Sequence, residues 1–234
     1  AGEGGGTPSG GIYSGAGVTD NANGTDYDFD PATAGVGVHT LTYTYTDANG
    51  CPNSSDVSVT INALDDATFS YTAATYCTDA TDPTPTATLA GGTFGSTAGL
   101  SITAGTGEID ASASTPGTYT VTYTTAGICS NSSDVIVTIN ALPVVTFTAP
   151  ASPYCPATTS ILSGGLPTRG VYSGTGVTFD GTTSTYSFTS PVSLTTITIT
   201  YTYTDGNGCE NYVSDDITVQ DNTSPTAIAQ DITV

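Results

Sequence analysis

Residues 38–51 read Val-His-Thr-Leu-Thr-Tyr-Thr-Tyr-Thr-Asp-Ala-Asn-Gly-Cys. Leu41, Tyr43 and Tyr45 fall on one side of an extended chain, and Thr40, Thr42, Thr44 and Thr46 on the other, because successive side chains of a strand point to opposite faces. A period of two in residue types that suit a pleated sheet predicts a half-buried β-strand. Asp-Ala-Asn-Gly then supplies a tight turn, since Asn and Gly tolerate positive φ, and a cysteine closes the unit. No window holds apolar residues at i, i+3, i+4 and i+7, so helices are not expected.

The unit returns at 118–129 (Thr-Tyr-Thr-Val-Thr-Tyr-Thr-Thr-Ala-Gly-Ile-Cys) and at 197–209 (Ile-Thr-Ile-Thr-Tyr-Thr-Tyr-Thr-Asp-Gly-Asn-Gly-Cys). Cys51, Cys129 and Cys209 therefore stand 78 and 80 residues apart. Self-similarity at a fixed long period marks an array of small domains. Repeat one covers 1–64, repeat two 65–142 and repeat three 143–220. Residues 221–234 read as a linker and the first strand of a further repeat. Further strands are expected at 56–62, 134–140 and 216–219, and opening strands at 68–72 and 145–148. The glycine-rich stretch 2–11 is not a phosphate loop, because no Lys-Ser/Thr and no helix follow it. Repeat one has no counterpart of 145–159, so it lacks its own first strand and first cysteine.

Composition narrows the function. One cationic side chain, Arg169, faces 21 acidic ones in 234 residues, for a formal charge of −20. Binding to nucleic acid or to an anionic membrane needs a Lys/Arg surface, so neither is expected. No run of eighteen apolar residues predicts a membrane span. With no initiator Met and no basic-then-apolar leader, the chain reads as a mature product or an excised segment.

Five cysteines without a metal-binding spacing suggest disulfides, with free buried thiols or a metal site as the alternatives. The repeat logic pairs Cys77 with Cys129 and Cys155 with Cys209, and leaves Cys51 to a partner upstream or in another chain. Such bridges imply an oxidising, extracellular location. Calcium is the one cation with support, from Asp20, Asp26, Asp28 and Asp30 in one loop, Asp65 and Asp66 at the first junction, and Asp215, Asp216 and Asp221 near the last. Hard cations take several oxygen ligands, but the EF-hand spacing is not met, and a solvated acidic surface is the competing reading. No cofactor is required. His39, the only histidine, lies on a generic strand position, Arg169 is expected on the surface, and no catalytic residue is assigned.

The elements Gly-Gly-x-Tyr-Ser-Gly-x-Gly-Val, Tyr-Thr-Tyr-Thr-Asp-x-Asn-Gly-Cys and Ser-Thr-Pro-Gly-Thr-Tyr-Thr-Val-Thr-Tyr-Thr-Thr-Ala-Gly resemble the repeats of giant surface adhesins of Bacteroidota, including gliding-motility adhesins of the SprB type. The tail from Asp221 looks like the opening of an HYR-type immunoglobulin-like repeat. The resemblance implies export by the type IX system, surface anchoring and no catalysis. The expected fold is all-β, with tandem immunoglobulin-like β-sandwich domains joined by short linkers at 63–67, 141–145 and 220–225. The expected function is a disulfide-stapled stalk of a long extracellular, cell-surface adhesin or filament, partnered by neighbouring repeats or further copies in a fibre. Two alternatives stand beside it. One is a self-polymerising fibre subunit, whose strand 226–234 (Thr226, Ile228, Ile232 and Val234) completes repeat one of the next molecule. The other is a module for glycans or another surface, using exposed tyrosines such as Tyr13 and Tyr172.

Overall fold

The computed structural model describes residues 3–221. The donor-strand candidates Thr226, Ile228, Ile232 and Val234 lie outside the described residues. The described chain is all-β, and its one helix there is the single turn Pro31–Ala34, capped by the Asp30 side chain. Cα proximity groups the chain into two compact units. The first takes Ala1–Phe69, Ala87–Thr93 and Tyr123–Ser133, and the second Ser70–Thr86, Phe94–Thr122 and Asp134–Val234.

In the first unit, one three-stranded sheet has the order Glu3–Gly4, Asp26–Phe29, Val18–Asp20, and another the order Ile12–Ser14, Gly37–Thr46, Pro52–Ile61. The long hairpin pairs Leu41 with Val57 and Tyr43 with Ser55. The second unit repeats this plan. One sheet runs Thr159–Leu162, Thr185–Thr189, Val177–Asp180, and the other Val171–Ser173, Thr196–Thr204, Glu210–Thr218. Its hairpin pairs Ile199 with Asp215 and Tyr201 with Val213. In the intervening repeat the corresponding sheet has the order Thr93–Ser96, Gly117–Thr124, Ser132–Asn140, Thr75–Cys77, and the last pairing is parallel.

The alternation seen in the sequence decides which face is inside. Ile197, Ile199 and Tyr201 are buried, together with Phe147, Leu162, Tyr172, Phe188, Ile217 and Val219. Phe147 packs edge-on against Tyr172 with ring centroids 5.2 Å apart, and Tyr172 lies 4.5 Å from Tyr201. Such aromatic contacts add to the gain from burying their area.

Several strands depart from expectation: Pro52–Ile61 begins four residues before the expected 56–62, Ser132–Asn140 two residues before 134–140, and of 68–72 only Phe69–Ser70 forms a strand. The last strand of repeat three begins at Glu210, because the tight turn fixes a register in which polar Glu210 and Asn211 still pair with Thr204 and Tyr203. The opening segment of repeat three makes only an isolated bridge, Thr146 to Leu166. It still covers the sheet, with the Ala149 N–H donating to Asp215 Oδ2 at 2.9 Å.

Repeat one has no such segment over its sheet in the described residues. Tyr13, Leu41, Tyr43 and Val57 correspond to Tyr172, Ile199, Tyr201 and Asp215, and they line a cleft of about 300 Å³. Val57 is 59% exposed there, whereas Ile199 is fully buried. Truncating Ile199 to Ala should therefore cost about 3 kcal/mol of stability. Val57→Ala should cost less than about 1 kcal/mol. Urea denaturation of the oxidised protein checks the contrast, and equal losses would mean that the cleft is closed in solution.

Candidate functional site: a disulfide between repeats

The site begins with the tyrosines of the central strands. Tyr201 Oη donates to the Pro167 carbonyl at 2.5 Å and accepts from the Gly170 N–H at 2.8 Å. Tyr43 does the same with Pro8 and Gly11, and Tyr123 with Leu89 and Gly92. A Cβ on Gly170 would stand 2.4 Å from the Tyr201 ring, which explains why the Gly-Gly-x-Tyr element keeps a glycine there. These bonds anchor the central strand of each repeat, and its far end runs into the hairpin turn.

The turn places a cysteine. Asp205 Oδ1 accepts from the N–H groups of Asn207 (2.8 Å) and Cys209 (2.9 Å). Asp47 makes the same pair of bonds to Asn49 and Cys51, each at 2.9 Å. The turn of repeat two is shorter and has no such aspartate; there Thr125, paired with Asn131 as Tyr203 is with Asn211, accepts through its hydroxyl from the Asn131 N–H at 2.9 Å. Each of the two later hairpins is tied to the chain that opens its own repeat. Asn211 Nδ2 donates to the Pro143 carbonyl at 2.9 Å, and Asn131 Nδ2 to the Asp65 carbonyl at 3.0 Å.

The second cysteine arrives on a strand. Thr75–Cys77 runs parallel to the end of Ser132–Asn140, with Cys77 opposite Asn140. Three residues later the chain reaches Pro143, where Asn211 holds it, and there Cys77 is bonded to Cys209. Their Cα atoms are 5.6 Å apart, and 132 residues separate them in sequence. The pair joins repeat two to repeat three, and Cys209 is completely buried.

The pairing inside each repeat is therefore corrected. Cys209 immediately precedes the strand Glu210–Thr218, while Tyr154, the neighbour of Cys155, bridges Val219 beyond that strand's other end. Nine residues at about 3.3 Å each put Cys155 and Cys209 roughly 30 Å apart. A disulfide needs Cα atoms within about 7 Å. Cys77, bonded to Cys209, cannot serve Cys129. In the described residues Cys51 and Cys155 are exposed, Cys129 is half-buried, and none of the three is bonded.

The other residues singled out by sequence serve local structure. Tyr13 and Tyr172 are buried, with exposures of 9% and 8%, and their hydroxyls accept from the N–H groups of Gly6 and Gly165, each at 2.8 Å. The exposed aromatic platform expected for glycan binding is thus not formed by these two. His39 Nε2 lies 2.8 Å from the Gly35 carbonyl, and since a carbonyl only accepts, the ring donates. Arg169 is exposed in a turn.

Most of the candidate calcium ligands bind neighbouring groups. Asp20 accepts from the N–H groups of Tyr13 and Ala22, Asp26 from the side chains of Asn21 and Asn23, and Asp30 from Ala32 and Thr33. Asp66 binds Thr68, Asp215 binds Ala149, and Asp216 binds Thr198. Asp28 is exposed on its strand, one oxygen of Asp65 is buried beside Gly127, and Asp221 is the last described residue. Among the described residues, no three His, Cys, Asp or Glu side chains gather as a metal centre. No helix there is long and apolar enough to cross a membrane.

No family model matches the chain, and no curated protein matches it. Solved structures do. Human CDH23 EC21-23 is 11% identical with a TM-score of 0.32, the match covering 90% of this chain and 88% of that one. Mouse Protocadherin-24 EC1-3 is 12% identical at 0.32, covering 89% of each. The Protocadherin GammaB4 extracellular domain is 13% identical at 0.31, and this chain, 92% covered, spans 44% of that structure's length. At scores this low, none of them extends the account beyond the sheets described above.

Several turn aspartates are held below the usual carboxylate range by the hydrogen bonds they accept. For Asp47 the leading cause is the backbone N–H of Cys51. For Asp26 it is the Asn21 side chain, and for Asp180 it is the Thr183 hydroxyl. A carboxyl depressed in the folded state stabilises the fold above its unfolded value, here 3.8, and that stabilisation disappears as pH falls through the folded value. Stability should therefore be flat from neutral pH to about 4 and fall below it. Asp47→Asn should flatten part of that fall, as read by urea denaturation at a series of pH values. An unchanged acid limb would show that the turn bond does not contribute.

Proposed function

We propose that this chain is a structural segment of a long extracellular surface adhesin or filament, acting as a disulfide-stapled stalk. The observation that carries the reading is the bond between Cys77 and Cys209, which joins one repeat to the next. Closing a loop of 132 residues removes about 5 kcal/mol of unfolded-state freedom in the chain-entropy model. A covalent tie of this kind limits how far two successive repeats can separate under load, which is what a spacer requires and what a catalyst does not. Structural disulfides persist in oxidising compartments and are rare where glutathione keeps thiols reduced, so the site fits an extracellular location.

The resemblance of the repeats to Bacteroidota gliding adhesins supplies the finer proposal. In that reading the parent protein leaves the cell by the type IX system, is anchored at the surface, and contacts its target with parts other than these repeats. The net charge of −20 suits a surface that stays solvated and does not adhere to nucleic acid.

A second reading draws on the cleft in repeat one. Tyr13, Leu41, Tyr43 and Val57 line that cleft, and Val57 is exposed in it, where Phe147 and Ala149 cover the corresponding surface of repeat three. An added strand could fill that cleft, and 226–234 of a neighbouring copy has the apolar alternation for it.

Protease shaving of intact source cells, combined with sedimentation of the purified chain with and without 226–234, tests both readings. The stalk reading expects the protein to be digested from outside the cells, and the purified chain to stay monomeric in either form. Multimers that vanish on removing 226–234 would favour the subunit reading. Protection of the protein inside unbroken cells would contradict both.

A further inference from the structure

Three cysteines are left over, and each occupies one of the two positions that the bonded pair occupies. Cys51 closes a hairpin turn as Cys209 does, with the same aspartate bonding its N–H and the same return bond, Asp47 N–H to the Cys51 carbonyl at 3.1 Å against Asp205 N–H to the Cys209 carbonyl at 2.9 Å. Cys129 closes the hairpin of repeat two. That hairpin holds Asp65 through Asn131, as the hairpin of Cys209 holds Pro143 through Asn211. The Cys129 carbonyl itself accepts from the Asp65 N–H at 2.9 Å. Cys155 occupies the other position. Tyr154 bridges Val219 in parallel, just as Tyr76 pairs with Ile139, so Cys155 stands beside Gln220 as Cys77 stands beside Asn140. In the bonded pair, the strand cysteine belongs to the earlier repeat and the hairpin cysteine to the later one.

We propose that Cys51, Cys129 and Cys155 are half-sites of further inter-repeat disulfides built on the same rule. Cys155 bonds the hairpin cysteine of the repeat that follows repeat three. Cys129 bonds the strand cysteine of repeat one, whose position falls a few residues before Ala1 when Pro8, Gly11 and Tyr13 are superimposed on Pro167, Gly170 and Tyr172. Cys51 bonds the strand cysteine of the repeat before that. The result is a ladder in which each repeat contributes one cysteine to the junction before it and one to the junction after it, and no bridge closes within a repeat. The inference rests on the reading of this chain as a segment of a longer array.

Each bond forms between two Sγ atoms as their thiols lose two protons and two electrons. These pass to a disulfide-bearing oxidant, such as an oxidised dithiol oxidoreductase, which is reduced to its dithiol by thiol–disulfide exchange. The exposure of Cys51 and Cys155 leaves both thiols open to that attack.

The test uses the full-length protein that carries this segment, released from its native cells, alkylated without reduction and digested at acid pH. Surface shaving of the same cells is read in parallel. The expected result is that Cys51, Cys129 and Cys155 each take up roughly one-tenth or less of the alkylating label that they take up after reduction. Each should also be recovered in a cross-linked peptide with a cysteine of the adjoining repeat. Full labelling of the three in a surface-exposed protein whose Cys77–Cys209 bond is intact would overturn the ladder and leave the stalk reading standing. Recovery of any of the three bonded within its own repeat would overturn the ladder as well. A protein shielded inside the cell with all five cysteines labelled would remove the stalk reading, and the ladder with it.

Discussion

A disulfide can join only residues whose Cα atoms come within about 7 Å, while a strand of nine residues is roughly 30 Å long. Much of the covalent arrangement of this protein follows from those two lengths. The cysteines of repeat three sit at opposite ends of one long strand, so neither can reach the other. Cys209 faces the junction with repeat two, where that repeat brings Cys77. At the junction between repeats two and three, the strand Thr75–Cys77 and the hairpin before Glu210 meet, and the bond forms.

The hydrogen bonding around the site is arranged to hold those ends still. Tyrosine hydroxyls lock the central strands to glycine and proline backbone, aspartate side chains shape two of the hairpin turns, and asparagine amides tie the two later hairpins to the chain that opens their own repeats. Each group satisfies backbone donors or acceptors that would otherwise be left unpaired near the surface. Most of the acidic residues that gave the sequence its look of a cation-binding protein accept from N–H and O–H groups of their own loops and strands.

Much of the fold was legible in the sequence. The alternation at Leu41, Tyr43 and Tyr45 gave the strand, and that at Ile197, Ile199 and Tyr201 gave both the strand and its buried face, because side chains alternate sides along an extended chain. The all-β class followed. Less legible were positions where tertiary context overrides pattern, such as the polar start of the strand at Glu210, which the hairpin register fixes, and the opening segment around Thr146, which covers the core without forming a continuous ladder. Tyr13 and Tyr172 lie beside glycine turns that suggest exposure, yet each is buried because its hydroxyl finds a glycine N–H. The cysteine pairing was the largest departure. Spacing alone allows both a bridge within the repeat and one across it. The signal that could have separated them is that a long alternating strand stands between the two cysteines of one repeat.

The central claim is that the covalent bond crosses from one repeat to the next. Peptide mapping of the unreduced 234-residue chain, digested at low pH so that thiolates cannot exchange, tests it most directly. The account predicts one cross-linked species, joining the peptide around Tyr76 and Cys77 to the peptide around Gly208 and Cys209. Recovery of Cys77 bonded to Cys129, or of Cys155 bonded to Cys209, would contradict it.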